Sequence, residues 1–203
     1  MEYNSAIEIF DKLYEDVNGH SISIQGRDNH QYESKSFVYG EIMSESFYDI
    51  LSHIHPNPSQ IFYDFGSGTG KAVMLGHLLF GFTKSKGIEF VDSLYDTSIH
   101  IMNRYEQEIR PLQADNPISG SIEFTLGSVL DFNTDDADIV FMNSTCFQED
   151  LMDAIDEKLK TLKPGSHIIT LSKSLKSPEY NQDSHQRYDF SWGEATVFFH
   201  TKL

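Results

Sequence analysis

Apolar side chains recur at helical spacing early in the chain: Ile9/Phe10, Leu13/Tyr14 and Val17 within residues 4–17. That period predicts a helix, and Asn18-Gly19 stops it. Residues 20–38 are polar with little periodicity. They predict a loop holding a short helix at most, and long loops in compact domains are often functional lids. A second stripe, Ile42/Met43, Phe47, Ile50/Leu51 and Ile54, predicts another helix, ended by Pro56 and Pro58. Beyond it the period alternates. Ile61-Phe62-Tyr63 is a strand, and Lys71 to Phe80 a helix with Val73/Met74, His77/Leu78 and Phe80 inward, closed by Gly81. Ser85 to Phe90 is a strand, Asp92 to Arg110 a long helix, and Pro111 to Gly120 a connector. Ser121–Leu126 and Asp138–Met142 are strands. Glu149 to Leu162 is helical, with Leu151, Ile155, Leu159 and Leu162 in register, and Pro164-Gly165 ends it. His167 to Leu171 is the next strand. Lys173 to Asp183 is a polar connector, and two strands close the chain, around Gln186–Phe190 and at Ala195–Thr201.

Strand and helix alternate over residues 60–172, and then two strands come together. This predicts an α/β fold: a mostly parallel seven-stranded sheet with a C-terminal antiparallel hairpin and helices on both faces. Residues 1–58 read as N-terminal helices with a covering loop, and 59–203 as the α/β part, packed as one unit. Ligands of such sheets bind outside the C-terminal strand ends. Asp64, Glu89, Ser128 and Asn143 stand at such ends.

Candidate chemistry centres on Asp64-Phe65-Gly66-Ser67-Gly68-Thr69-Gly70-Lys71. A strand ends in an acid, three glycines follow at every second position, and a helix begins. Glycine lets the backbone turn sharply against a ligand, and the helix start aims free N–H groups at it. The spacing is not the G-x-G-x-x-G of dinucleotide folds, and Ala72 after Lys71 excludes a G-x-x-x-x-G-K-[ST] phosphate loop. Two readings remain: a carboxylate-led loop for S-adenosyl-L-methionine (AdoMet), or an ordinary strand-to-helix turn. Glu89, 19 residues after Gly70, ends the next strand, where an acid can accept both ribose hydroxyls. Lys71 has two readings as well: a partner for a ligand carboxylate, or a solvated first-turn lysine.

Charge narrows the partners. Net charge is −16, which argues against nucleic acid or an anionic membrane and favours a basic partner. The single Cys146 excludes an internal disulfide and fits a reducing compartment. The N-terminus has no basic, apolar leader pattern, and no stretch reaches membrane-spanning length. The nine histidines are scattered, without metal-ligand spacing, so no metal is expected.

The Asp64–Gly70 loop, Gly87-Ile88-Glu89 and the Asn143 loop resemble class I AdoMet-dependent methyltransferases. Four further segments resemble the non-SET lysine methyltransferases of the disruptor-of-telomeric-silencing (Dot) family: Val38-Tyr39-Gly40-Glu41, Asn143-x-x-x-Phe147, Ser191-Trp192-Gly193 and Phe198-Phe199-His200-Thr201. The resemblance covers residues 36–203 and implies a Rossmann-like protein-lysine N-methyltransferase. It implies that Asp64, Phe65, Gly66, Ser67, Gly68, Thr69, Gly70 and Lys71 cradle the methionine part of AdoMet and Glu89 the ribose. Ser128 and Val129 would meet the adenine, and Tyr39, Gly40 and Glu41 would close over the cofactor. Asn143 would lie at the methyl group and the incoming amine, while Trp192 and the Phe198 region line a lysine channel. Tyr39, Asn143 and Trp192 are thus the candidate catalytic set.

The family carries an acid where Ser128 stands, a second Asn where Ser144 stands, and a basic tail in its histone-modifying members. With so acidic a chain, a non-nucleosomal protein presenting a lysine is the expected substrate, and the cytoplasm the expected location, or the nucleus in a eukaryote. A lysine amine must arrive neutral although its reference pKa is about 10.4. Aromatic walls favour that by desolvation, and Trp192, Phe198 and Phe147 are the candidates. No residue is an obvious general base. A small-molecule methyltransferase and a catalytically silent AdoMet-binding module remain as other readings.

Overall fold

The computed structural model describes residues 2–30, 40–113 and 118–203, without the side chains of 27–30. Seven strands form one sheet in the order β3-β2-β1-β4-β5-β7-β6. They are β1 (Ile61–Phe65), β2 (Lys84–Glu89), β3 (Ser121–Leu126), β4 (Ile139–Met142), β5 (His167–Leu171), β6 (Tyr180–Phe190) and β7 (Gly193–Lys202). The first five run parallel, and β7 is antiparallel to both β5 and β6. Central strands of a parallel sheet are covered on both faces, so they are apolar throughout. β4 (Ile-Val-Phe-Met) is buried at every position, and β1 at four of its five.

Two apolar layers sandwich the sheet. On one face Phe47, Phe62, Phe82, Phe141 and Phe199 pack with α1 (Tyr3–Tyr14), α3 (Ser44–His53), α4 (Lys71–Leu75) and α5 (Asp92–Arg104). On the other, Phe65, Val140, Met142 and Ile168 meet α6 (Glu149–Leu159) through Ile155 and Leu159. Because side chains alternate along a strand, Phe62 and Tyr63 fall into different layers. The expected α/β class, strand count and terminal hairpin are thus present.

Several boundaries differ from the pattern-based expectation. The polar stretch read as loop begins with a full helix, α2 (Gly19–His30). No apolar stripe marks it. It lies against α5 through small residues: Ser23 is fully buried, Ser93 Oγ donates to Ile22 O at 3.3 Å, and a Cβ on Gly26 would fall 2.0 Å from Ser93 Oγ. The next helix starts at Ser44, so Ile42 and Met43 precede it, and Met43 is exposed. The helix after the glycine loop is α-helical only to Leu75 and then widens into a π turn, Gly76–Phe80. α5 continues likewise through a π turn, Tyr105–Ile109. These two turns meet where buried His77 Nε2 lies 3.1 Å from Tyr105 Oη. Burial and the Arg110 guanidinium push the His77 pKa down to about 3, so the imidazole is neutral there. β6 starts at Tyr180, inside the stretch read as connector, because an edge strand needs no apolar face to pair.

Phe47 is the keystone of the larger layer: fully buried, with its ring centroid 6.0 Å from Phe62, 6.4 Å from Phe80 and 5.6 Å from Phe141. Phe47→Ala is expected to lower unfolding free energy by about 3–5 kcal/mol, from lost burial plus the cavity left behind. Urea denaturation followed by circular dichroism checks this, and a loss below about 1 kcal/mol would contradict the packing described.

Candidate functional site

A cavity of about 310 Å³ opens at the C-terminal ends of β1, β2 and β4, within the size range of small-ligand sites. Asp64, Gly66 and Ser67 line it from β1 and its loop; Glu89, Phe90 and Val91 from the end of β2. Ser128 and Val129 follow β3, Asn143 and Phe147 follow β4, and Gly40, Glu41 and Ile42 form a strap over it. Sequentially distant residues converge because parallel strands deliver their ends to one rim, with Asp64 beside Gly87 on one side and Phe141 on the other.

The loop after β1 is shaped by its glycines and by Glu89. Gly66, Gly68 and Gly70 take φ of 79°, 55° and 84°, left-handed values that only glycine adopts freely. Gly68 N donates to Glu89 Oε2 at 2.7 Å, and Val91 N to Glu89 Oε1 at 2.8 Å. The carboxylate therefore holds the loop and the chain leaving β2 at once. A Cβ on Gly70 would sit 2.5 Å from Phe124 Cζ, so that glycine makes room for packing. Gly66 and Ser67 face the cavity, whereas Phe65, Gly68, Thr69 and Gly70 are not among its lining residues. Phe65 lies in the smaller apolar layer.

Asp64 and Glu89 are both buried. Burial pushes the Asp64 carboxyl well above its ordinary value, and the Glu89 charge adds to it. Burial also raises Glu89, while backbone N–H groups of Val91, Gly68 and Phe90 oppose the shift. Two buried carboxylates that repel each other, with no ion pair to either among the described residues, are poised for a ligand that brings hydroxyl or ammonium donors. Ser67 Oγ and Asn143 Oδ1 are also buried without a hydrogen-bond partner among the described residues.

The strap is clamped from three sides. Lys71 Nζ pairs with Glu41 Oε2 at 2.6 Å, Asn143 Nδ2 donates to Gly40 O at 3.2 Å, and Ser191 Oγ donates to Glu41 O at 3.1 Å. The Gly40 carbonyl accepts only, so it fixes the Asn143 amide with nitrogen toward the strap and leaves Oδ1 as the spare acceptor. Lys71 lines the cavity but is engaged by Glu41, a partner neither sequence reading named.

Trp192 departs from expectation. It is not a lining residue. Its ring stacks on Phe190, centroids 4.8 Å apart, and closes against Gly40, where a Cβ would lie 3.0 Å from Trp192 Cε3. Phe198 does not line the cavity either: it lies opposite Thr170 on β7, its ring 5.8 Å from His185. Of the three expected aromatic walls only Phe147 is at the cavity. Tyr39 lies outside the described residues. Ser128 Oγ accepts from Leu130 N at 3.2 Å, and Val129 forms apolar wall.

The cavity also has walls that sequence reasoning missed. Phe90, directly after the strand-end acid, is 41% exposed and lines the cavity, and Gln148, Asp150 and Leu151 come from the start of α6. Position next to Glu89 was a signal for Phe90; nothing in the pattern marked Gln148. Among the described residues no group of three or more His, Cys, Asp or Glu is placed to hold a metal ion.

Residues 19–192 match the family model of the histone methylation protein DOT1, so α1 precedes the matched stretch. The chain is 30% identical over 156 residues, 72% of its length, to the histone-lysine N-methyltransferase, H3 lysine-79 specific, of Kluyveromyces lactis, and covers 26% of that protein. It is 25% identical over 186 residues, 90% of its length, to the protein of the same name from Debaryomyces hansenii, and covers 15% of it. The chain thus spans about a quarter or less of these relatives. In fold it is similar to an RNA methyltransferase of Salinibacter ruber solved with S-adenosyl-L-homocysteine: TM-score 0.59, 18% identity, 80% of this chain and 93% of that one.

A raised folded pKa gives a testable sign. Asp64 is stabilising while protonated, and that contribution is lost as pH rises from the unfolded value, about 3.9, through the higher folded one. Asp64→Asn is therefore expected to raise the melting temperature without ligand by a few degrees at pH 8, and by less at pH 5. Equal melting temperatures of the two proteins at pH 8 would contradict the buried, uncompensated charge.

Proposed function

The chain belongs to the DOT1 family of histone methylation proteins, and on that premise we propose that it is an AdoMet-dependent methyltransferase acting on a protein lysine. One observation carries the reading: the buried acceptor Asn143 Oδ1, aimed by the Gly40 carbonyl, belongs to a residue that lines the same cavity as the strand-end acids Asp64 and Glu89. A cavity of about 310 Å³ lined by two carboxylates and by Ile88, Phe90, Leu94 and Val129 suits a ligand that is part ionic and part flat and apolar. The residues present therefore fit AdoMet.

Bound there, the cofactor supplies an electrophilic methyl on a sulfonium, and the protein supplies alignment and desolvation. Glu89 accepts from ribose hydroxyls while retaining its backbone donors, since a carboxylate has about four acceptor sites. Asp64 and the Gly66–Ser67 turn hold the methionine end, and the strap residues Gly40 and Glu41 cover it. Val129 and Phe90 flank the adenine. The Asn143 oxygen accepts from the incoming amine and orients its lone pair. Phe147 lends that approach an apolar side, which favours the neutral amine.

The substrate we propose is a lysine on a basic protein free of DNA. The acidic net charge of −16 attracts such a partner and repels a phosphate backbone. Both yeast relatives are named for lysine 79 of histone H3, and a histone substrate here would place the protein in the nucleus rather than the cytoplasm.

Transfer of tritium from labelled AdoMet to free core histones, with nucleosomes in parallel, tests the substrate. Label on the free proteins is expected, and label on nucleosomes alone would reverse the DNA-free proposal. Asp64→Ala or Glu89→Ala is expected to weaken AdoMet binding about 10–100-fold by calorimetry, the worth of hydrogen bonds to a charged group. Asn143→Ala, which removes the spare acceptor and one clamp on the strap, is expected to turn over at least about tenfold more slowly at saturating AdoMet; full activity there would remove its role.

A further inference from the structure

The helix that precedes the family-matched stretch reaches into the cofactor loop. α1 is anchored by Ala6, Phe10 and Leu13, all buried, and Arg104 Nη1 of α5 donates to Leu13 O at 3.0 Å. Its last residue, Tyr14, is thereby brought beneath the glycine loop. The Tyr14 hydroxyl donates to Thr69 O at 3.1 Å, and Lys71 Nζ stands 5.4 Å from the centre of the Tyr14 ring.

Both contacts fall at the end of the loop, where it enters α4. Thr69 is fully buried between two glycines in left-handed conformation, at φ 55° and 84°. Glycine-flanked backbone has many conformations to lose, and a hydrogen bond to its carbonyl narrows them. Fixing the Thr69 carbonyl fixes the plane of the Thr69–Gly70 peptide, and with it the turn that presents Gly66 and Ser67 to the cavity. Lys71 opens α4, where the positive end of the helix dipole disfavours a cation. The Glu41 carboxylate at 2.6 Å and the Tyr14 ring face offset this and hold the ammonium at the cavity wall.

We infer that Tyr14 is a positioning residue: from outside the family-matched stretch, it holds the glycine loop and Lys71 in the conformation that receives the cofactor. This rests on the AdoMet reading proposed above. Apparent affinity scales with the fraction of molecules whose loop is already competent, so loosening the loop weakens binding without changing the bound site. A residue that merely packed would change stability and leave affinity alone.

Calorimetric titration with AdoMet and with S-adenosyl-L-homocysteine decides this, on wild type, Tyr14→Phe and Tyr14→Leu, each also melted without ligand. Tyr14→Phe keeps the ring against Phe10 and removes only the hydroxyl. It is expected to raise both dissociation constants about fivefold, the worth of one hydrogen bond, with kcat at saturating AdoMet and the KM for the lysine substrate unchanged. Tyr14→Leu, which also removes the ring beneath Lys71, is expected to weaken binding further; should it fail to fold, Tyr14→Phe decides. A wild type that binds neither ligand overturns the cofactor reading itself. A wild type that binds, with Tyr14→Phe within twofold of it, overturns the role of Tyr14 whatever its melting temperature.

Discussion

Glu89 joins the segments that form the cavity at the strand ends. Its two oxygens take the N–H groups of Gly68 at 2.7 Å and Val91 at 2.8 Å, and its own carbonyl accepts Gly127 N at 2.8 Å. One residue thus ties the loop after β1, the exit from β2 and the turn after β3. The bonds stabilise a carboxylate that burial would otherwise disfavour, and the carboxylate satisfies backbone donors that have no ladder partner. Among the described residues Asp64 beside it gains no such backbone support. The protein therefore carries electrostatic strain at the rim of its own cavity, a common trade of stability for a preorganised polar site.

The surroundings of this joint are arranged to keep it in place rather than to add chemistry. α1 and α5 stand behind the glycine loop, α4 begins under it, and the Phe124 ring fills the space a side chain at Gly70 would need. On the opposite side the turn between β6 and β7 meets the strap, where Ser191 bonds Glu41 and Trp192 packs on Gly40. The antiparallel hairpin, which looks like an appendage to a parallel sheet, is what backs the cavity cover. Trp192 then acts at one remove from the cavity wall, through the glycine it supports.

The sheet class, the strand count and the acids at strand ends were all readable from the chain. Period-two and period-3.6 patterns are local consequences of a covered sheet, and glycine after a strand-end acid is a local consequence of a tight turn. Asp64, Glu89 and Asn143 could be singled out because strand ends are found by counting along the sequence. α2 escaped because it is held by close approach of Ser23 and Gly26 to α5, which leaves no apolar stripe to find. The π turns at Gly76–Phe80 and Tyr105–Ile109 escaped because a widened turn leaves nearly the same spacing as an α turn.

By itself, then, the sequence determined the class of fold and the acids that stand at the strand ends, since each depends on neighbours close in the chain. Which residues share the cavity there was decided only by tertiary structure. Trp192 and Phe198 were aromatic and plausibly placed, yet one stacks behind the strap and the other lies away from the cavity, because strand register and hairpin twist set where a side chain points. Lys71 found Glu41, 30 residues before it, and Tyr14 found Thr69, 55 residues after it. Such pairings are made by packing helices on a sheet, and no local pattern encodes them.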